Sequence, residues 1–72
     1  MLKISLKAAR TNAGLTQKEA AKALGISNKT LHSWEKGDTS PSAEHIDAIC
    51  DLYEMSYNDI NFSPANSLKV NH

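Results

Sequence analysis

The 72-residue chain has one cysteine, two prolines, three glycines and 6% aromatic residues. Each shortage removes a class of molecule. A lone Cys50 forms no intramolecular disulfide and no cysteine-based metal cluster, so a reducing cytoplasm is the expected compartment. No run of about 18 apolar residues is present for a membrane span. The basic start, apolar stretch and small-residue cleavage site of a signal peptide are also missing. No internal repeat or low-complexity tract is visible. Neither sign of charge is in excess, because eight basic residues balance eight acidic ones. Taken as a total, that balance argues against a generally basic polyanion binder.

What is present is an ordinary globular composition, 40% hydrophobic and 22% charged. A chain this short allows one small domain with a core that supplies only a few kcal/mol. The charge balance conceals a split. Residues 1–36 hold seven bases (Lys3, Lys7, Arg10, Lys18, Lys22, Lys29 and Lys36) against Glu19 and Glu35, a net of +5. Residues 37–72 hold Lys69 against six acids (Asp38, Glu44, Asp47, Asp51, Glu54 and Asp59), a net of −5. The chain is an electric dipole along its sequence.

Helical signals run throughout, and no stretch alternates as a strand would. A first helix is expected over residues 5–13, with Leu6, Ala9 and Arg10 on one side and Gly14 able to leave it left-handed. Thr16-Gln17-Lys18-Glu19 has capping-box spacing and opens a second helix over 17–24, which Gly25 ends. Ser27 caps a third over 28–36, which Gly37 stops. Ser42 caps a fourth over 43–53 with an Ile46, Ile49, Cys50 and Tyr53 face. A short fifth helix is expected from Ser56 to Asn61 or Phe62. The expected organisation is an all-α, five-helix domain over residues 1–62 with a polar tail at 63–72.

If Leu31 and Trp34 face the core, then Asn28, Lys29, His32, Ser33 and Lys36 share the opposite side of the third helix. Two short helices joined at a glycine, the second with an uncommitted polar face, form a helix-turn-helix pattern suited to the DNA major groove. Lys29 in the first turn opposes the helix dipole; it is either a solvated lysine or a cation awaiting a polyanion. Trp34 reads as core, Cys50 as a small buried hydrophobe, and His32 as isolated from any metal-ligand set.

The ordered run Leu6…Arg10…Gly14-Leu15-Thr16-Gln17…Glu19-Ala20-Ala21…Leu24-Gly25-Ile26-Ser27, then Leu31…Trp34-Glu35-Lys36-Gly37 and Ser40-Pro41-Ser42, resembles the Cro/repressor-type helix-turn-helix (XRE) family of bacteria and phages. The resemblance implies a compact lambda-repressor-like domain, a double-stranded operator as partner and a homodimer on it. Residue by residue, it implies that Gln17 bonds a DNA phosphate and that Asn28, Lys29 and Ser33 meet base edges. His32 and Lys36 would lie near the flanks or the DNA backbone, and Arg10 and Glu35 would form a structural ion pair. An amide suits adenine's donor–acceptor edge and a lysine suits the acceptors of guanine. A phage or prophage setting is expected. Ala9 and Ala20 stand where larger aliphatics are usual in the family, and Asp38 where many relatives carry a base.

Glu44, Asp47, Asp51 and Glu54 recur at helical spacing. They form either a solvated face or a docking surface for a basic protein such as a partner repressor, which would make the chain an antirepressor or antitoxin-like modulator. Small relatives in this family form their dimer contact around the fifth helix, which suggests Tyr57, Ile60 and Phe62 here; Tyr57 and Phe62 read equally well as intramolecular core. No Ser–His–Asp or Cys–His arrangement, phosphate-cradling glycine loop or spaced ligand cluster is present. No enzymatic activity, cofactor, metal or small-molecule ligand is therefore expected.

Overall fold

The computed structural model describes residues 3–62; the tail expected at 63–72 lies outside them. Four helices follow one another: α1 (Leu6–Asn12), α2 (Gln17–Leu24), α3 (Asn28–Lys36) and α4 (Ala43–Tyr53). Each starts on a hydroxyl that accepts a hydrogen bond from a first-turn backbone N–H. Ser5 accepts from Ala8 at 3.0 Å, Thr16 from Glu19 at 3.1 Å, Ser27 from Thr30 at 3.1 Å and Ser42 from His45 at 3.5 Å. Caps of this kind are worth about 1 kcal/mol each. At α2 the box is complete, since the Thr16 N–H donates back to Glu19 Oε1 at 2.9 Å. That bond holds the Glu19 carboxyl below its usual range.

The bounds of α2, α3 and α4 are those the sequence predicts, and α1 is one residue shorter at each end, with Ser5 and Ala13 as its caps. Gly25 joins α2 to α3 in the left-handed region at φ 72°, where a side chain would be strained. Its N–H and that of Ile26 turn back to the Lys22 and Ala21 carbonyls at 3.2 and 3.0 Å.

Two expectations are corrected. The fifth helix is a single 3-10 turn at Tyr57–Asp59, so there are four α-helices among the described residues. The chain then extends rather than coils. Strand β2 (Ile60–Asn61) lies parallel to β1 (Ile4–Ser5), with Ile4 opposite Ile60 and Ser5 opposite Asn61. Pairing with β1 places Ile60 fully inside the core, and that burial outweighs a further helical turn. A two-residue strand has no visible period, which is why the sequence pattern gives no strand here.

The core gathers Leu6 and Ala9 of α1, Ala20 and Ala21 of α2, Leu31 of α3, Ile49 and Tyr53 of α4, and Ile60. Ala9 and Ala20 are completely buried and let neighbouring elements approach closely. Leu15, Leu24, Ile26 and Trp34 pack around them, partly covered. The Trp34 ring also lies 5.3 Å from that of His45, tilted by 55°. Cys50 is half-buried on α4, and its thiol is pushed up by burial and then by Asp47 and Asp51.

Candidate nucleic-acid interface

With Leu31 fully buried and Trp34 turned toward the core, α3 leaves one side free. On that side Asn28, Lys29, His32 and Lys36 are exposed and Ser33 is half-buried. The first turn of α3 carries no acid, so its free N–H groups and Lys29 give this end positive character. Gln17 heads α2 beside it, half-buried.

Beneath that surface lies a chain of hydrogen bonds. Arg10, only 8% exposed, donates through Nε to Glu35 Oε2 at 2.7 Å and through Nη2 to Glu35 Oε1 at 3.2 Å. Its Nη1 donates to the Leu15 carbonyl at 2.9 Å. The Glu35 hydrogen bond raises the guanidinium above its ordinary value against the opposing effect of burial. Gln17 Nε2 also donates to Glu35 Oε1, at 3.1 Å, and Gln17 Oε1 in turn accepts from Asn28 Nδ2 at 3.1 Å. Arg10, Glu35, Gln17 and Asn28 are thus brought into one continuous network.

The far end of α3 is tied to the turn that follows it. Ser33 and Thr39 share a hydroxyl–hydroxyl bond at 3.0 Å, and Lys36 Nζ lies 3.4 Å from Asp38 Oδ2 in an exposed pair, the kind that contributes little to stability. Between α1, α2 and α3 runs an open depression lined by Lys7, Arg10, Thr16, Gln17, His32, Glu35 and Lys36. Because Arg10 is committed to Glu35 and Leu15, the positive charge at its surface comes from Lys7 and from Lys36, which Asp38 partly offsets. Sequence reasoning missed Lys7 and Thr39 as members of this surface. Lys7 entered only as a charge, and no periodicity links Ser33 to a residue beyond Gly37.

Tyr53 sits under the same network. Its hydroxyl is buried without a hydrogen-bond partner. Burial, followed by the nearby Glu35 charge, pushes its phenol up to about 12.

The other two candidate sets lie elsewhere. Glu44, Asp47 and Asp51 are exposed on α4, but Glu54 is not on the helical stripe expected of it. It follows Tyr53 in the left-handed region at φ 55° and closes the helix. Among Tyr57, Ile60 and Phe62, Ile60 is completely buried and offers no surface to a second copy, because it fills the core opposite Ile4. Tyr57 is 54% exposed and stacks on Phe62 with ring centroids 5.7 Å apart, with Lys3 Nζ 5.8 Å from the Tyr57 ring. Among the described residues, no group of His, Cys, Asp and Glu is placed to hold a metal, and no helix is long and apolar enough to cross a membrane.

A helix-turn-helix family model matches residues 6–60, from the start of α1 into β2. The chain belongs to the XRE-type helix-turn-helix family. Relatives in this family include the antitoxin PezA of Streptococcus pneumoniae, 42% identical over 60 residues, covering 83% of this chain and 38% of that protein. The HTH-type transcriptional regulator ImmR of Bacillus subtilis is 41% identical over 51 residues, covering 71% of this chain and 40% of the relative. The type II methyltransferase M.SsoII of Shigella sonnei is 38% identical over 51 residues, and only 14% of its length takes part. The chain therefore spans about two fifths of the first two relatives and a seventh of the third. No solved structure matches it.

Proposed function

We propose that this helix-turn-helix chain is a sequence-specific, DNA-binding transcriptional regulator without enzymatic activity, which inserts α3 into the major groove of a short operator as a symmetric dimer. The observation that carries this reading is the exposed polar side of α3, continuous with Gln17 at the head of α2 and with Lys7 and Lys36 around the depression. Asn28, Lys29 and Ser33 meet base edges, while His32 and Lys36 lie toward the flanks. Gln17 and the first backbone N–H groups of α2 meet a phosphate, which the helix dipole favours. A dimer places two such helices about one DNA turn apart, roughly 34 Å. The stacked Tyr57 and Phe62 are the remaining candidates for its contact.

The test is a salt titration of binding to a duplex site enriched from a random library. Log K should fall by about 0.9 per phosphate contact for each log unit of salt. Gln17→Ala should weaken every site through the lost phosphate contact, whereas Asn28→Ala or Ser33→Ala should relax base preference at one position. Unchanged sequence preference in Asn28→Ala refutes the groove assignment.

A second reading has its own support. PezA, a relative along 83% of this chain, is an antitoxin. Here Glu44, Asp47, Asp51 and Glu54 are exposed, and none of them joins an ion pair among the described residues. On this reading the acidic side docks a basic protein such as a repressor encoded beside it. Neutralising all four acids abolishes that complex; unchanged affinity removes the idea.

A further inference from the structure

We infer that Glu35 sets the polarity of the base-reading amide on α3. It acts as a positioning residue through Gln17, beyond its pairing with Arg10. The inference rests on the proposed DNA-binding role of Asn28. Glu35 lies beneath the interface, its side chain 5% exposed. Its carboxylate is acceptor-only, and it takes three donors: Arg10 Nε, Arg10 Nη2 and Gln17 Nε2. An amide has one donor end and one acceptor end. The Gln17 amide can therefore meet Glu35 only with its NH2 group, which turns Oε1 away from Glu35 and toward Asn28 at the start of α3.

That oxygen accepts only from a donor, so Asn28 must present Nδ2 to it, as it does at 3.1 Å. Two amides that would otherwise be free to flip are each left with one orientation. Asn28 keeps its Oδ1 acceptor and its second Nδ2 hydrogen, the pair an amide needs to accept from adenine N6 and donate to N7. Pre-setting this pair removes the ordering cost of selecting it on the DNA.

Glu35→Gln reverses the chain. Its carbonyl keeps the shorter bond from Arg10 Nε at 2.7 Å, and its NH2 group takes the place of Oε1, facing both Arg10 Nη2 and Gln17; of these two neighbours only the Gln17 amide can turn to offer an acceptor. Gln17 must turn Oε1 inward and Nε2 outward, and Asn28 must answer with Oδ1. The expected result is a roughly five- to hundredfold loss of discrimination at the one base pair read by Asn28, the value of a bidentate contact.

The test has two readouts on the 72-residue chain, using protein shown to be folded by its circular dichroism melt. The first is the position of the Asn28 side-chain amide resonances in the free protein, which needs no DNA. The second is binding to single-base-pair variants of a duplex site enriched from a random library by the wild type. Glu35→Gln should move the Asn28 resonances and flatten one position, and in a Gln17→Ala background it should add neither effect. Asn28 resonances that stay put overturn the inference, whether or not the protein binds DNA. Moved resonances with intact discrimination overturn the role in specificity. A wild type without base preference overturns the DNA reading instead. If Glu35→Gln does not fold, the Arg10→Met/Glu35→Leu pair, apolar and of similar volume, releases the Gln17 amide instead of reversing it; it should move the same resonances and reduce, without flattening, discrimination at the same position.

Discussion

The α2–α3 surface and the outer side of α4 are both polar and exposed, yet they are built differently. On the first, side chains are tied to one another: Asn28 to Gln17, Gln17 to Glu35, Ser33 to Thr39 and Lys36 to Asp38. On the second, Glu44, Asp47 and Asp51 project singly into solvent. Holding polar side chains in fixed orientations costs conformational entropy. Such ordering serves a surface that must meet a ligand with defined donor and acceptor positions. A face that stays solvated or steers by charge needs only the sign of its charge. The difference is also one of foundation, because the tied surface stands on the buried Arg10–Glu35 pair and the α4 acids stand on ordinary helix.

That foundation gives the largest expected effect. Arg10→Met alone leaves the Glu35 carboxylate buried with only Gln17 to answer it. Breaking a buried pair from one side typically costs about 3–5 kcal/mol, a large share of what a domain this small possesses. Urea denaturation of the two single variants and of Arg10→Met/Glu35→Leu measures it, and the double variant should recover most of the loss. A single-variant cost below about 1 kcal/mol would show that the tied face does not depend on this pair.

Next in size is an alkaline effect beneath the same network. The unfolded Tyr53 phenol releases its proton near the ordinary value of 10, whereas the folded one holds it to about 12. The folded state thus binds more protons between those values. The stability contributed by the neutral phenol is complete below pH 10 and is lost as pH rises through 12. Two units correspond to on the order of 2–3 kcal/mol. Tyr53→Phe should remove this part of the alkaline loss without destabilising the protein at pH 7, because the hydroxyl it deletes has no partner. Equal alkaline slopes for the two proteins would count against it.

Much of this architecture is legible in the sequence because its causes are local. Ser5, Thr16, Ser27 and Ser42 announce helix starts by their own chemistry, and Gly25 and Gly37 announce ends. The polar side of α3 follows from the positions of Leu31 and Trp34. The hydrogen-bond chain from Arg10 to Asn28 is not legible in that way, since it links residues 25, 18 and 11 positions apart through side-chain orientation. The β1–β2 pair escapes pattern reading because each strand is two residues long. It sets Ile60 inward opposite Ile4, while Tyr57 stays out. The end of α4 misleads for the opposite reason: helical spacing continues to Glu54, but the backbone has already turned left-handed there.

That turn gives a third, smaller effect. The links after α1, α2 and α3 contain Gly14, Gly25 and Gly37 at positive φ, whereas α4 closes on Glu54 at φ 55°. A non-glycine residue in this region carries a strain of roughly 1 kcal/mol or more. Glu54→Gly should therefore stabilise the protein by about 0.5–1 kcal/mol after the added entropy of the unfolded glycine is subtracted. Thermal melts would show this as a rise in Tm, and a fall would mean that the Glu54 side chain contributes more to the acidic end than its exposure indicates.

The smallest effect separates the two faces most directly. Replacing Glu44, Asp47 and Asp51 with Gln, Asn and Asn touches no ion pair among the described residues, so each change should shift stability by no more than about 0.5 kcal/mol. If the α4 side faces away from DNA, these acids influence binding only through a screened field that fades beyond about 10 Å in 0.1 M salt. The triple variant should then bind duplex modestly more tightly at low salt and converge on the wild type at high salt. Its slope of log K against log salt should match the wild type to within one phosphate contact, about 0.9. Lys36→Ala on the tied face should reduce the slope by about that amount, because its partner on the protein, Asp38, cannot replace a lost phosphate contact. A triple variant whose slope changes as much as that of Lys36→Ala would place the α4 side against the DNA and erase the distinction between the faces.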